Sequence, residues 1–178
     1  FINKKLELIA NLYQLEILYK LIDLLPDDTI FDHWRALRVE HLLLKGEFES
    51  DSFACKIVND ISVENEDEFW KKAQIFCQII LGNEDDAIFD AELLRASGSQ
   101  DSNFFNLLYA MIGQKEDFII EEDKLELLHI IMMDQIRNII PSEFIFKTPQ
   151  SNYPVLLNIE NIQAEAKSLL IDNLVENQ

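Results

Sequence analysis

Apolar positions recur along most of the chain at the three- and four-residue spacing of an α-helix. From Lys4 to Leu25 the polar residues Lys4, Glu7, Asn11 and Gln14, and then Glu16, Lys20 and Asp23, keep this spacing while Leu, Ile and Tyr fill the places between. So narrow a polar stripe predicts a single helix over 4–25, covered on more than one side. Pro26 stops it. Thr29 followed by Asp32 resembles a capping box that opens a second helix through Trp34, Leu37 and Leu44, ending at Gly46. A third helix is predicted over Phe48–Asp60, and the acids Glu64–Glu68 precede a fourth over Phe69–Leu81, which Gly82 ends. Ala87–Ala96 follows, Gly98 breaks it, Asp101 caps Phe104–Ile112, and Gly113 closes that helix. Glu122–Asn138 is the longest late helix. Three prolines between Pro141 and Pro154 mark an irregular connector over 139–157, before an amphipathic helix resumes at Ile159–Val175, within 158–176. The pattern therefore predicts an all-α domain of about eight helices and no sheet.

Composition narrows the function classes. In 178 residues, 15 Lys and Arg face 33 Asp and Glu, for a formal net charge of −18, and 48% of residues are apolar. This is enough apolar content for one globular domain over 1–178 with a continuous core, and too much for a disordered acidic tail. Such negative charge repels phosphate backbones and anionic lipid heads, which argues against nucleic acid and membrane surfaces as partners and leaves proteins open. Only four Gly and four Pro starve the chain of the turns a β-sandwich needs. No apolar run of 18 residues occurs, so no membrane insertion of this segment is expected. The opening at Phe1 suggests a piece of a longer chain, with the compartment, cytoplasm or periplasm, left open. Cys55 and Cys77 have neither disulfide-framework nor zinc-knuckle spacing and are expected to be buried thiols.

The informative feature is a repeat. Trp34 and Trp70 stand 36 residues apart, as do Val39 and Ile75, Leu43 and Ile79, Leu44 and Ile80, and Gly46 and Gly82. Glu49 and Asp85 each lie three residues beyond their glycine, and Glu116 holds the same place after Gly113. A helical hairpin needs a residue tolerant of the left-handed conformation where its first helix stops, and glycine meets that need. The repeat units run over about 29–61, 65–97 and 101–138. Trp70, Ala73, Gly82 and Ala87 resemble the signature of the tetratricopeptide class of helical-hairpin repeats, although the spacing here is 36 and then 31, and Leu37 and Asp51 stand where small residues are usual. More narrowly, Phe69-Trp70-Lys71-Lys72-Ala73, Phe76-Cys77-Gln78, Leu93-Leu94-Arg95 and Asp101 with Phe105 resemble an uncharacterised bacterial helical-repeat family, over about residues 69–113. That resemblance implies a right-handed superhelix of antiparallel helix pairs, an α-solenoid, with Trp34, Trp70, Phe76, Ile79, Leu94 and Phe105 in its core.

Chemistry is sparse. Of the three histidines, His33, His41 and His129, the first two lie eight residues apart, two helical turns, too far to share one ion without further ligands; each is expected at an interface or the surface, beside Asp32 or Glu40. The acidic clusters at Glu64–Glu68, Asn83–Asp86 and Glu121–Asp123 lack calcium-loop spacing and sit at helix starts, where acids are favoured electrostatically. No nucleophile elbow, P-loop or dinucleotide glycine motif occurs, and Cys77 with His41 is the one conceivable dyad. No catalytic residue, cofactor or metal is therefore assigned. The resemblance implies a concave groove lined by Asp32, Arg35, Val39 and Leu42 and by Glu68, Lys71, Ile75 and Gln78. Arg35, Lys71 and Gln78 become the candidate partner-binding residues, the two cations able to hold a partner's carboxylate. Helix geometry favours the competing arrangement, in which Arg35 and Lys71 pair with Asp32 and Glu68 three residues earlier. The functional expectation is a non-enzymatic protein-interaction module. The alternatives are a structural segment that self-associates through its terminal helices, and a helical domain with a small-ligand or enzymatic pocket.

Overall fold

The helical period is realised in a computed structural model as eleven α-helices and two 3₁₀ turns among the described residues. The structure describes residues 1–12, 14–26, 28–46, 53–62, 65–113, 119–120, 125–136, 140–157, 159 and 161–176. The helices are α1 (Ile2–Asn11), α2 (Leu15–Ile22), α3 (Asp32–Leu44), α4 (Phe53–Ser62), α5 (Glu68–Ile80), α6 (Glu84–Ala96), α7 (Ser102–Met111), α8 (Leu127–Gln135), α9 (Ser142–Ile145), α10 (Tyr153–Leu156) and α11 (Ala164–Glu176). Among the described residues there is no strand, only an isolated parallel bridge between Ile140 and Ile162. No helix is long and apolar enough to cross a membrane among the described residues. Glu49 and Glu116 lie outside the described residues.

Eleven helices replace the expected eight for two local reasons. The single helix expected over 4–25 is a hairpin, α1 packed on α2. Its polar stripe steps by two residues, from Gln14 to Glu16, where a continuous helix would step by three or four, and the chain breaks at that slip. The connector is also more structured than its prolines suggest. Pro141 and Pro154 sit at the starts of α9 and α10, where a missing N–H costs nothing, and Ile145, Val155 and Leu156 pack into the main core. A third difference concerns the cap before α3: the Asp28 carboxylate accepts the Ile30 N–H at 3.0 Å and opens a 3₁₀ turn over Thr29–Phe31, in place of a box built on Thr29. Asp101 caps α7 as expected, accepting the Phe104 N–H at 2.9 Å.

Helix ends follow the glycines. At Gly82, with φ of 82°, the Gly82 and Asn83 N–H groups donate back to the carbonyls of Ile79 and Gln78, which satisfies the last open carbonyls of α5. Gly98 ends α6 in the same way, with Ser99 donating to Leu94.

Consecutive helices pack on one another from α1 through α6, so that α1–α2 and α6 form the two ends of one row. The chain then turns inward. α8 packs on both α7 and α3, and every residue from Leu127 to Met133 is buried, so this helix is enclosed on all sides. The main core gathers Trp70, Phe76, Phe104, Leu94 and Phe105, with Ile79 partly buried against it. A second, smaller cluster of Leu6, Leu18, Tyr19, Ile22, Phe31 and Trp34 belongs to the N-terminal hairpin and the first turn of α3. Trp34 is thus in a different core from Trp70, its repeat equivalent, and its indole N–H donates to Asn3 at 3.1 Å.

Cys55 on α4 and Cys77 on α5 are joined in a disulfide, a correction to the expectation of free buried thiols. Twenty-two residues of separation give no pairing signal in sequence; the packing of α4 on α5 brings the two together. Closing a loop of that length removes denatured-state entropy worth about 3 kcal/mol. Reduction should therefore lower the unfolding free energy by about that amount, measured as the difference between urea titrations of the oxidised chain and of the chain held in a phosphine reductant.

Candidate functional site

The most concentrated polar chemistry lies where α5, α7 and α8 meet. Lys72, one helical turn beyond Glu68 on α5, is buried, and its ammonium lies 2.5 Å from Asp101 Oδ2, 3.1 Å from Glu68 Oε1 and 3.4 Å from Glu126 Oε2. Asp101 caps α7, and Glu126 stands just before α8. His129, 2% exposed, completes the group: its Nδ1 accepts the Glu126 backbone N–H at 3.1 Å, so Nε2 carries the ring proton and donates to Asp101 Oδ2 at 2.9 Å. Asp101 thus accepts from a lysine, a histidine and the Phe104 amide.

The charges set one another. Burial alone would depress the Lys72 ammonium, but the surrounding carboxylates, Asp101 first, outweigh burial and hold it above the usual lysine range. Burial would raise the Asp101 carboxyl, and the hydrogen bonds from His129, Lys72 and Phe104 hold it well below the usual range instead. Glu68 is lowered chiefly by the Ser99 hydroxyl, which donates to it at 2.6 Å. Glu40 on α3 behaves oppositely: burial, reinforced by the neighbouring Glu126 charge, raises its carboxyl to about 8.

Donor atoms of Asp101, Glu126 and His129 all lie within 4.8 Å of one another, the dimensions of a metal-donor set. Lys72 already places a cation on the two carboxylates of that set, and the His129 nitrogen facing Asp101 bears a proton. The arrangement accounts for itself as a three-helix ion network. His129 also lacks a free basic nitrogen, because Nδ1 is occupied by the backbone.

A second unusual place joins α2 to α3. His41, 4% exposed, stacks on Tyr19 with ring centroids 4.0 Å apart, and neither imidazole nitrogen nor the Tyr19 hydroxyl has a hydrogen-bond partner among the described residues. Burial first, then Lys45 and Arg38, lowers the His41 pKa to about 4, while Glu16 opposes them weakly. Burial raises the Tyr19 hydroxyl. Arg38 lies over the Tyr19 ring and pairs with Asp23 through two hydrogen bonds of 3.0 and 3.1 Å, tying the end of α2 to α3.

The sequence-derived candidates are all engaged within the chain. Arg35 pairs with Asp32 at 3.1 Å, the competing arrangement considered for it, and also donates to the carbonyls of Pro26 and Asp28. Lys71 donates to the Ser62 carbonyl at 2.9 Å, whereas Glu68 goes to Lys72. Gln78 donates to Asp90 at 2.7 Å and links α5 to α6. Val39, Leu42 and Ile75, placed along the expected groove, are core residues. His33 is exposed beside Trp34, far in role from the buried His41. Cys77 and His41 form no dyad, because the Cys77 sulfur is in the disulfide and His41 is in the Tyr19 stack.

Sequence reasoning missed the Lys72 network. Its one local signal was the four-residue step from Glu68 to Lys72; its other members come from 29 and 54 residues further on, set by tertiary packing. No family model matches the chain, and no curated protein and no solved structure matches it either.

Two outcomes follow. Lys72→Met leaves the nearly buried Asp101 carboxylate without its cation and should cost about 3–5 kcal/mol in urea unfolding, while Lys71→Met should cost about 1 kcal/mol. His41 is held neutral in the fold and takes up a proton more readily when unfolded, so its contribution is complete above pH 6.5 and is lost as pH falls from 6.5 to about 4. It should amount to about 3 kcal/mol across that window and be absent from His41→Phe. Glu40 acts the other way between about pH 4.5 and 8, so the comparison must be variant against parent at each pH, with Glu40→Gln raising stability only toward the upper end.

Proposed function

We propose that this chain is a non-enzymatic protein–protein interaction module, built as a right-handed, tetratricopeptide-like array of antiparallel helix pairs. The 36-residue recurrence of Trp34 and Trp70, and the packing of each helix on the next from α1 to α6, support the architecture. The carrying observation for function is the outer face of the N-terminal hairpin. Leu8 on α1 with Leu12 at its C-terminal cap, and Ile17 and Leu21 on α2 with Leu24 just beyond it, are exposed, while Leu6 and Leu18 of the same two helices are buried. Leu24 is 80% exposed. Apolar residues repeated at helical spacing on two adjacent helices cost solvation free energy unless something covers them. Arg35, Lys71 and Gln78, by contrast, already have partners within the chain, so the reading rests on the hairpin face and not on the groove.

The second reading, a self-assembling segment, draws on the same face, since a terminal helix pair without a polar outer surface is adhesive. A photo-crosslinking amino acid placed at Leu21, with the same probe at the exposed Lys56 as control, tests the module in native cells. Crosslinking of a defined protein at position 21 and not at 56 is expected; no adduct at 21 sinks the interaction reading.

A further inference from the structure

The two ends of the helix row differ in chemistry. The α1–α2 end is close to neutral, with Lys4, Lys5 and Lys20 against Glu7 and Glu16 and with Asp23, just beyond α2, paired to Arg38, in a chain of net charge −18. Lys4 and Leu8 on α1 and Leu12 at its C-terminal cap follow one another at four-residue steps, and Lys20 stands beside Leu21 on α2, so each exposed apolar stripe carries a lysine. Lys4 and Lys20 are exposed and form no ion pair among the described residues.

The other end is its complement. α6 packs most closely on α5 and meets α7 through Glu92, which accepts from the Tyr109 hydroxyl, and Arg95, which lies over the Phe105 ring; it also carries Phe89, 64% exposed, and Leu93 one turn later. Asp85 and Asp86 lie one turn before Phe89, so this apolar pair is flanked by acids, with Glu84 adjacent. All three carboxylates are exposed.

We infer that the partner of the α1–α2 face is a second copy of this chain, docking head to tail, with Leu8, Leu12, Ile17 and Leu21 on Phe89 and Leu93 and the lysines against Asp85 and Asp86. The inference rests on the proposed protein-binding role of that hairpin and names its occupant. The argument is charge complementarity within one sequence: the apolar face that bears the exposed Lys4 and Lys20 has its counterpart in the apolar pair flanked by Asp85 and Asp86 at the far end of the same row. Long-range repulsion between two acidic copies does not forbid the contact, because at physiological salt charges beyond about 8 Å are screened and the local pairing decides. The contact joins two different surfaces, so it leaves each end free to bind again and propagates.

Sedimentation of the whole chain tests this through complementation. The parent should show an average mass that rises with concentration beyond the dimer. A head variant, Leu12→Glu with Leu21→Glu, and a tail variant, Phe89→Glu with Leu93→Glu, should each be monomeric, with association weakened at least tenfold. Mixed in equal amounts they should form a one-to-one dimer and nothing larger, since one intact head meets one intact tail. Because all four positions are exposed, helix content and melting temperature should match the parent. A charge-swapped pair, Lys4→Glu with Lys20→Glu against Asp85→Lys with Asp86→Lys, should recover pairing that either swap alone loses. A monomeric parent at the highest attainable concentration, or a mixture without dimer, overturns the inference. So does a head variant that still self-associates. A position-21 crosslink to a different protein overturns self-pairing while leaving the interaction module standing.

Discussion

A lysine ammonium placed out of water among three carboxylates fixes how the later helices meet. Lys72 loses hydration on burial, and that loss is offset only if Asp101, Glu68 and Glu126 are all brought to it. Asp101 and Glu126 stand at the starts of α7 and α8, so holding them to the same cation as Glu68 also holds those two starts against α5. The imidazole of His129 locks the same point from the other side by taking the Glu126 amide and giving its proton to Asp101. Once its start is pinned, α8 can lie buried along its length between α7 and α3. The side chains expected to face a groove, Val39, Leu42 and Ile75, are buried in the same main core as this inward helix.

The acidic charge acquires a structural meaning from the same geometry. Acids gather at helix starts, as at Asp67, Asp101 and the first turn of α6, where backbone N–H groups receive them. Those near Lys72 hold the fold together, and those on α6 remain in water. A negative sequence total therefore hides two populations: carboxylates committed to internal cations, and carboxylates free to meet a partner.

Legibility in the sequence divides along the line between local and long-range causes. Asp101 as a cap, Gly82 and Gly98 as helix ends, and the burial of Trp70 and Phe76 all depend on residues within a few positions or on simple period. The break between α1 and α2 has a local sign as well, the two-residue slip in the polar stripe from Gln14 to Glu16, although apolar positions continue on both sides of it. The disulfide and the choice of lysine were not legible. Lys71 and Lys72 are neighbours whose side chains point about 100° apart on the helix, and only knowing where α7 and α8 pack tells which one turns inward. Repeat equivalence was a poor guide to chemistry for the same reason: His41 and Cys77 hold matched places, yet one faces the N-terminal hairpin and the other faces α4.

The separate small core beneath α1 and α2 makes the molecule thermodynamically uneven. Among the described residues its six buried side chains share only Leu15 with the packing of the main core, and its junction to α3 includes Tyr19 and His41, whose polar atoms find no hydrogen-bond partner there. A unit with so few apolar contacts and an imperfect seam opens at lower free energy than the body it rests on. The hairpin that presents the apolar stripes is therefore a semi-independent cooperative unit, able to detach and re-dock without global unfolding. Whatever covers its outer face would also tighten its inner one, so that occupancy of the surface is felt as protection of the backbone amides behind it.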